Sequence, residues 1–183
     1  MKMFNKIIMA SEDQISLLKT GVFCDANGDE AAVEDGAVVS ILEPYAHDLY
    51  ANTKDLNARK ITAFDEDAPI VGIVDYVGVS SADIQGVLYR EGDKIFGLGA
   101  KAGERIRVRM PQLGDEFYLG NENFDTTPSI GDFAAPEDGK TTWKVAQAAA
   151  ASGLCIEIED TRTLITGQVN EGTLLYRCRV ISC

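Results

Sequence analysis

Residues 174–181 read Leu174-Leu175-Tyr176-Arg177-Cys178-Arg179-Val180-Ile181. Successive side chains of an extended chain point to opposite faces. Tyr176, Cys178 and Val180 therefore share one face, and Arg177 and Arg179 share the other. Two more stretches alternate in the same way. In residues 105–110, Arg105, Arg107 and Arg109 oppose Ile106, Val108 and Met110; in residues 154–159, Ile156 and Ile158 oppose Glu157 and Glu159. Alternation of this length predicts strands with one dry face and one wet face. The turn Asn170-Glu171-Gly172 lies between residues 163–169 and 173–181 and predicts a hairpin. If residues 154–159 join that sheet, Glu157 and Glu159 come beside Arg177 and Arg179, in cross-strand pairs worth ~0.2–1 kcal/mol each.

Outward from these segments the punctuation is dense. Seventeen glycines separate short apolar runs at residues 37–42, 70–79, 86–89, 94–98 and 116–119. Strand-length runs bounded by Gly, Asp, Asn and Pro predict a mainly β chain, an antiparallel β-sandwich or barrel. One short helix is expected over residues 142–151 (TWKVAQAAAA), capped by Thr141 or Thr142 and ended by Ser152-Gly153. Residues 121–140 read as a long functional connection. Residues 1–20 read as an extended N-terminal arm, and residues 21–183 as the β-rich domain, with 97–103 as the place for any sub-boundary.

The chain has 183 residues and a formal charge of −12, from 29 acidic against 17 basic side chains. That charge repels phosphate backbones and anionic lipid, so neither nucleic acid nor membrane is an expected partner. No apolar stretch approaches the ~20 residues of a membrane helix, and the first residues lack a signal-peptide core, which predicts a protein made in a cytoplasm. Cys24, Cys155, Cys178 and Cys183 fit no zinc spacing and are expected as free thiols. His47 is the single histidine, too few for a histidine metal cluster and expected as a surface residue. Asp25-Ala26-Asn27-Gly28-Asp29 starts like a calcium loop but has Glu30 and Gly36 where that loop requires Gly and Glu, so a solvated turn is expected. Residues 97–103, with three glycines and Lys101, match no phosphate-binding fingerprint and read as a turn in a meander. No cofactor, metal or catalytic set is expected, and the chain reads as non-enzymatic.

Residues 102–119 (AGERIRVRMPQLGDEFYL) resemble a run in the decoration, or cement, proteins on the capsids of tailed bacteriophages. The likeness continues through Asn123-Phe124, residues 128–132 (PSIGD) and the Trp143 region. It takes in residues 33–39, Lys60-Ile61-Thr62, residues 71–75 and the C-terminal Tyr-Arg-Cys-Arg-Val-Ile run, most of residues 21–183 in all. The resemblance implies a non-enzymatic, β-rich protein on the outside of a virion head. Its partners would be the major capsid protein and other copies of itself, a homo-oligomer with a trimer among the options. Other virion parts (tail tube, connector, fibre base) and a cytoplasmic β-sandwich binding carbohydrate are the alternatives. Apolar residues on the arm (Phe4, Ile7, Ile8, Met9) and on the long connection (Phe124, Ile130, Phe133) are the contact candidates. Arg105, Arg107 and Arg109 join them, either as an ion-paired sheet face or as a patch against an acidic neighbour.

Overall fold

A computed structural model of the chain describes residues 4–10, 15–46, 54–75, 99–164 and 173–183. They are mainly β, and their helical content is confined to single 3-10 turns such as Ile15–Leu17 and Asn121–Asn123. Strands β2 (Leu18–Phe23), β4 (Val38–Ala46), β5 (Lys54–Ala63), β6 (Val71–Val74) and β8 (Arg105–Arg109) close a barrel in the order β2-β5-β4-β6-β8. A six-stranded sheet runs β1-β9-β13-β12-β10-β11. Its members are β1 (Phe4–Ile8), β9 (Glu116–Gly120), β10 (Phe133–Pro136), β11 (Trp143–Ala146), β12 (Cys155–Leu164) and β13 (Thr173–Ser182). The short β3 (Val33–Glu34) and β7 (Gly99–Ala100) form a separate pair.

Two apolar cores follow from the alternation. Val39, Ile41, Ile61, Val74, Ile106 and Val108 fill the barrel. A five-stranded barrel has a narrow interior, and it closes here because two inward positions carry no side chain. A Cβ on Gly72 would lie 2.3 Å from Val108 Cγ1, and one on Gly21 the same distance from the Arg59 carbonyl oxygen. The outward neighbours on the same strands, Val38 and Ile73, belong to the second core with Phe117, Leu119, Trp143, Ile156, Tyr176 and Cys178 of the sheet. One barrel wall thus serves both cores, and the inner face of the sheet lies against it.

Polar bonds close the seam between the two. The Trp143 indole Nε1–H donates to the Gly36 carbonyl (3.3 Å), and Asn123 Nδ2 donates to the Asp35 carbonyl (2.8 Å). The Phe4 amide donates to the Asp35 carboxylate at 2.9 Å, which ties β1 to the turn before β4. Each of these groups is buried, where an unmet hydrogen bond costs ~1–3 kcal/mol.

Four sequence readings change. The helix expected over residues 142–151 is instead β11 followed by an irregular stretch. Trp143 is fully buried and Lys144 exposed, a period of two, and ten alanine-rich residues without an apolar face form no stable helix alone. The N-terminal arm is not free: β1 pairs antiparallel with β9, matching Phe4 to Leu119 and Lys6 to Phe117. The connection 121–140 is not one loop, because β10 pairs with β11 and β12 inside it. The barrel is not wholly antiparallel, since β2 and β5 pair in parallel through Gly21–Arg59 to Phe23–Ile61. It also takes its fifth strand, β8, from beyond residues 97–103. The runs at 86–89 and 94–98, the end of 70–79, and the turn 170–172 lie outside the described residues.

Candidate functional site

The arginine strand β8 shows the expected alternation, with Ile106 and Val108 buried in the barrel. Its three arginines differ in depth. Arg105 is exposed, Arg107 half-buried and Arg109 buried. Asp75, just past β6, explains the gradient. Its Oδ2 accepts from Arg107 Nη2 at 2.8 Å and from Arg109 Nε. Arg107 and Arg109 are therefore held in an ion-paired wall of the barrel, the first of the two readings. Of the three arginines, Arg105 is the exposed one.

The outer face of the sheet carries a ladder of charge. Arg177 on β13 reaches Glu116 on β9 (2.6 Å) and Glu159 on β12 (3.5 Å). Arg179 reaches Glu157 and Glu159, both at 3.0 Å. The register Glu157–Arg179 and Arg179–Glu116 puts these three residues in one row across three strands. Glu159 sits at an irregularity between Ile158 and Asp160 and so reaches both arginines. The Glu116 hydrogen bond holds the Arg177 guanidinium above its ordinary pKa, and the Glu157 hydrogen bond does the same for Arg179. The pairing of residues 154–159 with the C-terminal strand is as the sequence implied, and β9 is the third strand that sequence reasoning did not supply.

Most of the apolar contact candidates are core residues of this chain. Phe4, Met9 and Phe124 are buried in the second core, with Phe4 tilted against Phe117 (ring centroids 5.4 Å) and Phe124 edge-on to Tyr176 (5.5 Å). They are unavailable to a partner while the chain is folded. Ile7 and Phe133 are half-buried, and the side chain of Ile8 lies outside the described residues. Ile130 alone stands out, 60% exposed at the tip of a turn. Leu113, 70% exposed on the turn before β9, is a surface apolar residue that the sequence reading missed. Its signal was its place in Gln112-Leu113-Gly114, where a turn lifts a side chain away from the core.

The Asp25–Asp29 stretch is a tight turn. Asp25 Oδ1 accepts the Asn27 amide (2.9 Å) and the Asp29 amide (3.0 Å), and Gly28 has φ +89°. The carboxylate is turned onto its own backbone. Among the described residues no group of three or more His, Cys, Asp or Glu is placed to hold a metal ion. Cys24, Cys155 and Cys178 are buried free thiols and Cys183 is exposed. His47 lies outside the described residues. No described helix is long and apolar enough to cross a membrane.

The chain matches no protein-family model, no curated protein and no solved structure.

Proposed function

We propose that the chain is a structural, non-enzymatic protein that binds the outer surface of a phage capsid and decorates or reinforces the head. The observation that carries this reading is the resemblance of residues 102–119 to capsid decoration proteins. That stretch is the joint of the fold: β8 completes the barrel and β9 enters the sheet. The β-rich architecture supports the reading, because two cores with a shared wall and a buried polar seam give a rigid body without a cofactor. The charge of −12 supports it too, since mutual repulsion keeps many free copies soluble before they meet a lattice. In this reading the contact surface is drawn from exposed groups, Arg105 and Ile130 among the sequence candidates and Leu113 beside them. Phe4, Met9 and Phe124 serve folding.

Co-sedimentation of the purified chain with undecorated phage heads tests the proposal. Saturable binding at a fixed number of copies per capsomer is expected, with the bound copies visible on the outer surface by cryo-electron microscopy. Absence of binding at micromolar concentration, or density only at a tail or connector, would replace it.

A further inference from the structure

A cleft of about 400 Å³ opens at the seam of barrel and sheet. Its walls are apolar: Ile70 and Val71 from the barrel side, Met110 and Pro111 from the β8–β9 joint, and Leu154 before β12. The size lies within the range of ligand pockets, roughly 300–1,000 Å³. Glu66 is the one charged side chain among the lining residues.

Glu66 does not stand alone. It lies on a turn closed by the Ala68 amide on the Asp65 carbonyl (3.1 Å). A second turn, closed by the Lys140 amide on the Glu137 carbonyl (3.0 Å), packs beside it. The Phe64 amide donates to the Lys140 carbonyl, the Gly139 amide to the Phe64 carbonyl, and the Glu66 amide to Asp138 Oδ1. The two turns carry Asp65, Glu66, Asp67, Glu137 and Asp138 against a single lysine, Lys140. Glu137 is neutralised by Lys144 at 2.6 Å, and Asp65 Oδ1 is used by the Asp67 amide. Glu66 lines the cleft, and Asp67 and Asp138 are exposed on the two joined turns. An apolar slot lined by Glu66 and neighboured by two acidic turns is complementary to a chain that puts an apolar side chain in the slot and positive groups beside it.

We propose that this cleft docks a short segment of a partner protein in which apolar residues are flanked by lysine or arginine. A small apolar molecule would fill the slot without engaging Asp67 and Asp138, whereas a peptide spans both turns. An acidic segment of the same shape is refused by the acidic turns, so the carboxylates select the partner while the slot supplies contact area. The inference holds whether or not the partner is a capsid protein.

The test uses the full chain with ¹³C-labelled Met and Ile methyl groups. Three probes are titrated: acetyl-Lys-Leu-Leu-Arg-amide, acetyl-Glu-Leu-Leu-Glu-amide and acetyl-Lys-Ser-Ser-Arg-amide. The first is expected to shift the Met110 and Ile70 methyl signals saturably, and the other two to bind more weakly. Glu66→Gln with Asp67→Asn, both exposed and so without cost to folding, should weaken the first probe about fivefold, the factor for ~1 kcal/mol. The same change should close the gap between the first and second probes. Three results overturn the proposal: no shift from the first probe at millimolar concentration, equal shifts from the acidic probe, or equal shifts from the serine probe.

Discussion

Asp75 decides the fate of two arginines on one strand. The Asp75 carboxylate stands beside the buried Arg109 guanidinium, and removing one partner of a buried pair costs about 3–5 kcal/mol. Asp75→Ala is therefore expected to lower unfolding stability by about that amount, read from urea titration. Arg105→Ala, at an exposed position, should cost less than ~1 kcal/mol. The thiols give a second residue-scale expectation. Burial pushes the Cys178 thiol above its ordinary 9.0, and burial does the same to the Tyr176 phenol from 10.0. Both folded groups hold their protons more tightly than the unfolded chain does. Their contribution is intact below the unfolded values and is lost as pH rises above about 9. Unfolding midpoints should fall from pH 9 upward, and native protein should give one fast-reacting thiol, Cys183. Fast labelling of Cys178 below pH 9 would contradict the burial.

At the scale of elements, β1 and the β12–β13 pair behave differently. Strand β1 places Phe4 and carries the chain to Met9, both in the second core. Burying each side chain contributes roughly 1.5–3 kcal/mol. Deleting residues 1–10 should therefore lower the melting temperature, at about 2–4 °C per kcal/mol for a chain of this size. Phe124→Ser should act in the same direction, because it removes the edge-on contact to Tyr176. Differential scanning calorimetry decides between this and an arm that comes away without thermal effect. The charge ladder on the outer face contributes far less. A double-mutant cycle on Glu157 and Arg179 should give a coupling of ~0.2–1 kcal/mol that shrinks with added salt.

Across the whole molecule, the shared wall sets cooperativity. Val38 and Ile73 bind the barrel to the sheet, and Trp143, the single tryptophan, lies in the same core with its indole on the Gly36 carbonyl. Barrel and sheet should unfold together. Trp143 fluorescence and far-UV circular dichroism are expected to give coincident transitions in urea, the signature of two-state behaviour. An earlier fluorescence transition would mean that the seam opens before the strands melt. The far-UV spectrum itself should be that of a β protein, since the described helical segments are single 3-10 turns.

The β class, the alternating strands and the pairing of Glu157 and Glu159 with Arg177 and Arg179 were legible in the chain, because a period of two assigns faces without knowledge of neighbours. What faces cannot assign is the identity of the neighbour. Residues 154–159 and 163–169 read as two runs, whereas Cys155–Leu164 is one strand across an irregularity. Trp143-Lys144-Val145-Ala146 carried a strand pattern, but the alanines after it raised a local helix propensity that tertiary burial of Trp143 overrode. Barrel closure depends on a parallel match of Gly21 to Arg59, a contact set by register far along the chain. Phe4, Met9 and Phe124 looked like contact residues because hydrophobicity marks a side chain for burial without saying in whose core. Only the tertiary structure placed them in this chain's own, and only it brought the turns at 65–68 and 137–140 together beside an apolar cleft.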